Sequence, residues 1–263
     1  VYAGNGALLA EFATQKRLFV PVKAIPPKLL HAFLSAEDKS FFAHPGVDPV
    51  ALVRASLTNL AALGTGRRPI GASTITQQVA KNFLLSNELS FDRKIKEAIL
   101  AIRMERAFSK QQILALYLNE IYLGYGSYGV AAAALNYFDK ALDQLELHEM
   151  AYLAALPKAP SNYHPARRTK AALGRRNWVL RQMQENGYIT AEQTALAGSK
   201  PLGVKKASGS DSANAPYFTE EVRRELAETY GTKVLYEGGL SVRTTIDPQL
   251  QMKAERALRE GLE

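Results

Sequence analysis

Apolar residues recur along the chain at helical spacing, broken by short polar segments, and this pattern predicts a series of amphipathic helices with little strand between them. The helical stretch runs from about 27 to 197. Pro26-Pro27 precede a first helix that continues to about Ser40. Asp48-Pro49 open a second, with Val50, Val53, Leu57 and Leu60 on one stripe. Gly71 to Gln78 reads as a small, hydroxylated helix start, and Ser90 or Asp92 caps a helix over 92–107. Ser109 with Gln112 forms a capping box for a helix through Tyr122. Asp143 with Glu146 starts another, which ends before Pro157. Thr169 to Asn186 forms a further helix stopped by Gly187, and Thr190 with Gln193 makes a second capping box.

The two ends read differently. Val1-Tyr2-Ala3 and residues 7–12 flank Gly4-Asn5-Gly6, a hairpin signal. Residues 199–216, rich in Ser, Gly, Ala and Lys, read as a linker. A helix over 217–230 ends at Gly231; Leu240, Val242, Thr244 and Ile246 then alternate as a strand, and 248–262 turns helical again. The expected organisation is an N-terminal strand or hairpin segment (1–26), a mainly α domain (27–200), and a linker with the start of a further connection (201–263).

Composition narrows the function classes. With 263 residues the chain has room for a sizeable core. Its formal charge of +8 favours an anionic partner such as nucleic acid, a membrane surface or a phosphorylated substrate. The absence of cysteine excludes disulfides, thiolate nucleophiles and zinc–cysteine sites. No apolar run approaches the roughly 18–20 residues of a membrane span, so any membrane contact is sideways or through a segment outside this sequence.

Three stretches carry chemistry. In residues 36–46 two adjacent acids, Glu37 and Asp38, end an apolar helix and are followed by Phe41, His44 and a Pro-Gly stop. The helix dipole disfavours an acid at that end, and apolar neighbours disfavour its charged form, which suits a general base. The same residues would also serve as a solvated helix end with a histidine cap. In residues 71–78, Ser73, Thr74, Gln77 and Gln78, with Lys81 one turn later, offer neutral donors and acceptors for hydroxyl-rich or phosphate ligands. They would equally make a capped helix start. On a helix over 93–98, Arg93, Lys94 and Glu97 share a face, either as a surface ion-pair ladder or as a cationic patch around a carboxylate.

Gly124 to Gly129 fits G-x-G-x-x-G, but it follows a helix rather than a strand, so it reads as a helix-to-helix bend and not a nucleotide loop. There is no P-loop, no H-E-x-x-H, no S-x-x-K or K-T-G, and no recognisable nucleic-acid module.

Taken in order, E-D-x-x-F-x-x-H-x-G (37–46), G-A-S-T-I-T-Q-Q (71–78), R-K-I-K-E-A (93–98), S-K-x-x-I-L-x-x-Y-L-N (109–119) and A-P-S-N-Y (159–163) resemble the peptidoglycan glycosyltransferases of family 51. The tail over 240–247 resembles the link into the transpeptidase half of class A penicillin-binding proteins. His164 departs from the pattern, as many relatives carry asparagine there.

The resemblance implies a lysozyme-like helical fold with a large lobe and a small membrane-facing lobe, here about 47–70. It also implies polymerisation of lipid II, by inverting transfer with loss of a lipid diphosphate. In that scheme Glu37 is the general base and Glu97 the second essential carboxylate. Ser73, Thr74, Gln77, Gln78, Lys81, Arg93 and Lys94 bind substrate, and Asp38, Phe41, His44, Asn119 and Tyr122 support the site. A diphosphate leaving group needs positive charge more than a strong acid, and much of the remaining charge, at Arg67, Arg68, Arg167, Arg168, Arg175 and Arg176, reads as facing anionic headgroups or as solvated. A divalent cation, Mg or Mn, is a further possible requirement, with no complete ligand set readable. The implied partners are lipid II, the lipid-linked glycan strand, a membrane surface, cell-wall synthesis proteins, and an N-terminal anchor and transpeptidase domain in the parent protein. The implied place is the extracytoplasmic face of the bacterial cytoplasmic membrane, and moenomycin is the implied inhibitor. The rival readings are a lysozyme-like glycan-cleaving enzyme and a basic, non-enzymatic lipid-binding module.

Overall fold

The computed structural model describes residues 1–7, 9–10, 12, 16–62, 71–84, 91–205 and 215–262. It divides into two units, Arg17–Val204 and a second made of Val1–Lys16 with Lys205–Glu263. Described strand is limited to two-residue pieces at Lys16–Arg17 and Ser127–Tyr128.

The larger unit holds nine helices among its described residues: α1 (Pro27–Glu37), α2 (Pro49–Ala61), α3 (Ile75–Leu84), α4 (Phe91–Ala107), α5 (Lys110–Glu120), α6 (Val130–Phe138), α7 (Leu147–Ala155), α8 (Thr169–Glu185) and α9 (Ala191–Ser199). The expected caps form. Asp48 accepts from the Ala51 N–H at α2, Ser109 and Gln112 close the box at α5, and Thr190 and Gln193 do so at α9. Two boundaries shift. Helix α1 stops at Glu37 rather than Ser40, because Asp38 turns out of the helix to use its carboxylate elsewhere. Helix α7 starts at Leu147, where the Glu149 carboxylate accepts the Glu146 N–H; Asp143 instead lies in a short 3-10 turn over Leu142–Gln144.

The core forms where α1 packs on α7 and α8, and α3 on α4 and α5. From His148 to Ala155 every residue of α7 is buried. Its alanines, with Ala131–Ala134 of α6, let neighbouring backbones approach closely around Phe33, Tyr117, Tyr137, Phe138 and Tyr152. Each large apolar side chain buried here contributes about 1.5–3 kcal/mol. Helix α2 differs: only Ala55 is buried, and Val50, Val53, Leu57 and Leu60 are all at least 60% exposed.

The G-x-G-x-x-G segment is a tight reversal between α5 and α6. Tyr122 and Tyr128 bridge across it, and the Gly129 N–H returns to the Ile121 carbonyl. Gly129 has φ +81°, and a Cβ there would lie 2.4 Å from the Asn119 oxygen, so the glycine serves turn geometry.

Arg175 and Arg176, which read from sequence as solvated or headgroup-facing, are instead folded inward. Arg176 is fully buried and donates to the carbonyls of Gly198, Lys200 and Pro201, holding the end of α9. Arg67 and Arg68, read the same way, lie outside the described residues.

In the smaller unit the Gly4–Gly6 turn closes through Ala3 N–H to Ala7 and Gly6 N–H to Ala3. Tyr2 pairs with Arg243 in a parallel bridge, and among the described residues the alternating stretch 240–246 makes no ladder beyond it. Tyr2 donates to the Val242 carbonyl and accepts from the Thr244 N–H, and the Gly4 N–H reaches the Ile246 carbonyl at 3.0 Å where the N-terminal segment already turns at Gly4–Gly6. Helices α10 (Pro216–Tyr230), α11 (Thr232–Glu237) and α12 (Pro248–Leu262) follow, with α10 packed on α11. Most of the expected linker, 206–214, lies outside the described residues. Among the described residues no helix is long and apolar enough to cross a membrane.

Arg176→Met keeps the apolar stem but leaves three carbonyls without their donor. Urea unfolding is expected to show a loss of about 2–3 kcal/mol; an unchanged midpoint would contradict the staple.

Candidate functional site

Glu37 is the last residue of α1, and its carboxylate lies at a cleft of about 130 Å³. Asp38, Ser40, Asp48, Arg54, Ser73 and Thr74 line the same cleft. The Gln78 amide donates to Glu37 Oε2 at 2.9 Å, and Arg175 Nη2 lies 3.9 Å from Oε1. Burial pushes the Glu37 carboxyl above its ordinary value. The Gln78 hydrogen bond and the charges of Arg175 and Lys158 oppose that rise, while neighbouring Asp38 adds to it.

Asp38 faces the other way. Both its oxygens lie 3.0 Å from His44 Nε2, and Oδ2 also accepts the Ile75 N–H at the start of α3. His44 Nδ1 accepts the Gly46 N–H, which assigns the ring proton to Nε2 and makes His44 the donor to Asp38. Gly46 has φ +97°, and a Cβ there would sit 2.8 Å from the Ala101 oxygen, so the turn is wedged against α4. Lys110 closes the arrangement, donating to the His44 carbonyl and to Glu105 with its ammonium 4.4 Å from the centre of the Phe41 ring. Phe41 is fully buried beneath.

In the second motif the residues divide. Thr74 and Gln77 are buried and cap α3 reciprocally, the Thr74 N–H to Gln77 Oε1 at 3.0 Å and the Gln77 N–H to Thr74 Oγ1 at 3.1 Å. The Thr74 hydroxyl also reaches the Gly46 carbonyl at 2.6 Å. Ser73 instead accepts from Lys94, and Gln78 donates to Glu37. Gln78, Lys81 and Tyr122 line a second cleft of about 200 Å³ with Asn82, Ile121, Pro157 and Pro160.

On α4, Lys94 Nζ lies 2.5 Å from Glu97 Oε1 and 2.9 Å from Ser73 Oγ. The Glu97 side chain is 3% exposed and that of Lys94 is 47% exposed, so a buried carboxylate anchors a cation that reaches solvent beside the cleft. Arg93 precedes it, half-buried. Asn119 is engaged elsewhere: its amide exchanges hydrogen bonds with the Val20 backbone and braces that segment, 17 residues before Glu37.

Three contributors escaped the sequence reading. Tyr117 lies inside a recognised segment, yet its role shows only in space. Its hydroxyl is buried without a hydrogen-bond partner, and burial followed by the charges of Glu37 and Asp38 pushes it well above its ordinary value. Lys158 acts on Glu37 through charge from the segment after α7. Arg175 stacks on Trp178, three residues on, at 3.9 Å. The i,i+3 spacing of Arg175 and Trp178 was the available signal.

The arrangement suits proton transfer and charge stabilisation on a polar, anionic substrate: a buried carboxylate at a helix end, beside a cleft with an anchored cation. Comparison with known proteins carries this further. The family described as transglycosylase matches residues 5–184. Over its whole length the chain is 46% identical to penicillin-binding protein 1A of Rickettsia felis, 48% to that of Aquifex aeolicus and 44% to that of Escherichia coli K12. It spans 33%, 35% and 30% of those proteins. The crystal structure of penicillin-binding protein 1A from Haemophilus influenzae matches with a TM-score of 0.58 at 31% identity, over 97% of this chain and 28% of that one. The chain therefore belongs to the transglycosylase family, as a peptidoglycan glycosyltransferase domain of the class A penicillin-binding protein type. It spans about a third of the length of the curated relatives it matches.

The raised Glu37 carboxyl makes a stability prediction. A carboxyl whose folded value lies above its unfolded one binds more protons in the native state across the interval between them, so stability falls as pH rises through it. Glu37→Gln should therefore raise the thermal unfolding midpoint at neutral pH. The difference from the unaltered protein should vanish on acidification below the ordinary value of 4.5. A midpoint lowered at neutral pH would contradict the burial argument.

Proposed function

We propose that this domain polymerises lipid II, joining its disaccharide to a lipid-linked glycan strand by inverting transfer. The acceptor hydroxyl attacks the anomeric carbon of the strand's terminal sugar while Glu37 accepts its proton. The glycosidic bond forms as the bond from that carbon to the lipid diphosphate breaks. The observation that carries the reading is the Glu37 carboxylate: buried at the end of α1, raised by burial, and held between Gln78 and Arg175 at the cleft. A group poised in this way takes a proton more readily than an exposed carboxylate.

The leaving diphosphate carries negative charge and calls for cations. Lys94, anchored by Glu97 and linked to Ser73, is placed to meet it, with Arg93 beside it on α4 and Lys81 on α3. Glu97 orders Lys94 in this scheme and donates no proton. Thr74 and Gln77 act by fixing the start of α3, and Asp38, His44 and Phe41 by fixing the turn that follows Glu37.

A divalent cation fits this donor set poorly. Among the described residues no group of three or more His, Asp or Glu side chains gathers to hold a metal, and Glu97 commits one oxygen to Lys94.

The exposed stripe of α2 supports contact with the membrane surface that carries the substrate, with the domain on the extracytoplasmic face. In the parent protein the proposed companions are an N-terminal anchor, a transpeptidase domain and other cell-wall synthesis proteins.

Lipid II polymerisation in detergent tests the assignment. Glu37→Gln should abolish product while the circular dichroism spectrum stays native; substantial polymer from this variant would remove Glu37 as the base. Lys94→Ala should lower kcat/KM by about 10²-fold, with weaker binding of a diphosphate-bearing donor as well as slower turnover. Unchanged donor affinity would remove Lys94 from the diphosphate site.

A further inference from the structure

Arg175 belongs to none of the five segments that carry the family resemblance, yet it is the cation that ends nearest the Glu37 carboxylate among the described ion pairs. Five groups bear on that carboxylate. Asp38 is its neighbour, Gln78 comes from α3, Tyr117 from α5, Lys158 from the segment after α7, and Arg175 from α8. The contacts are divided by oxygen: Gln78 donates to Oε2 at 2.9 Å, and Arg175 approaches Oε1 at 3.9 Å. The second distance is too long for a hydrogen bond, so Oε1 is left with a lone pair free and a positive charge behind it.

The guanidinium is held in an uncommon way. Its Cζ lies over the Trp178 ring, 3.9 Å from the centre, and its Nε is buried without a hydrogen-bond partner among the described residues. A guanidinium placed for structure is tied by several donors, as Arg176 is one residue on. Arg175 instead leaves a buried donor unmet among the described residues. Its side chain is 11% exposed and that of Glu37 is 12% exposed, so water screens the pair weakly.

We propose that Arg175 is the positioning residue of the general base: held over the Trp178 ring, it stands at Glu37 Oε1 and supplies the counter-charge that keeps this carboxylate able to accept a proton. The proposal rests on the reading of Glu37 as the base. Burial alone would drive Glu37 toward its neutral form, in which it has no proton-accepting role; the guanidinium opposes that drift without engaging the reactive oxygen in a hydrogen bond.

The test uses the full chain with Arg175→Gln, Arg175→Met and Arg175→Lys, each checked for native circular dichroism. Arg175→Met retains an apolar stem over Trp178 and serves if the glutamine variant does not fold. Two readouts are taken. The first is the carboxyl titration of Glu37 by carbon NMR on glutamate-labelled protein, with the resonance assigned by its loss in Glu37→Gln. The second is the pH profile of lipid II polymerisation. In the uncharged variants the Glu37 midpoint should move upward. Their kcat should fall roughly tenfold on the acidic side of the profile and recover to within about threefold of the unaltered enzyme on the alkaline side, with KM for lipid II nearly constant. Arg175→Lys should restore most of both readouts, since it keeps the charge. An unmoved Glu37 midpoint, a loss of kcat equal at all pH values, or an effect confined to KM would overturn the proposal. A moved midpoint with an unchanged kcat profile would instead remove Glu37 as the base, overturning the proposal through the reading beneath it.

Discussion

At the end of α1 the backbone leaves the helix at Asp38, and the carboxylate released there accepts from His44 Nε2 and from the first N–H of α3. Three segments that are distant in sequence meet on this one group: the end of α1, the turn through Gly46, and the start of α3. The α3 N–H is one of the orphan donors of a helix start, and the positive end of that helix favours the charge. Asp38 is itself buried, and burial pushes its carboxyl up against these hydrogen bonds. The junction therefore holds by geometry and satisfied donors more than by bare charge attraction. Everything at the cleft inherits its position from this junction. Glu37 points as it does because the next residue is pinned, and Ser73 and Gln78 flank it because α3 begins where Asp38 can reach.

The acidic residues around the cleft divide into two kinds. Asp38, Glu97, Glu105 and Asp48 have committed partners in His44, Lys94, Lys110 and the Ser40 hydroxyl. Glu37 has only an amide on one oxygen and a guanidinium at a distance from the other. A carboxylate at a helix C-terminus is opposed by the dipole, and this one is also buried beside a second acid. A group so placed is unfavourable for the fold and well suited to proton transfer. That combination marks a reactive position more clearly than the presence of an acid does.

Much of this was legible in the sequence because it is local. Capping residues such as Asp48, Ser109 and Thr190 announce helix starts whatever the tertiary context, and the apolar run before Glu37 foretold an acid at a helix end. The end of α1 at Glu37 was not legible, since it depends on what Asp38 finds across the fold. Nor was the division of the second motif: Thr74 and Gln77 cap α3, while Ser73 and Gln78, of the same residue types, meet Lys94 and Glu37. Arg175 and Arg176 show the same limit. Both read as surface charge in a basic protein. Yet Arg176 falls on the inward stripe with Ala172, Val179 and Met183, where spacing alone could have placed it, and Arg175 needs Glu37 from another helix before its position has a meaning. The ends of the chain were read less well because strand requires a partner, and among the described residues 240–246 finds a single bridging residue in Tyr2.

Gln78 lines the second cleft while its amide nitrogen is engaged with Glu37 in the first. The amide is planar, so its carbonyl and its nitrogen cannot turn independently. A ligand in the second cleft that engages the carbonyl must take it in the orientation Glu37 already imposes, or else rotate the amide and strip Glu37 of its hydrogen bond. One side chain thus acts as a mechanical register between the two clefts: what occupies one side has a geometric stake in the proton affinity of the carboxylate on the other.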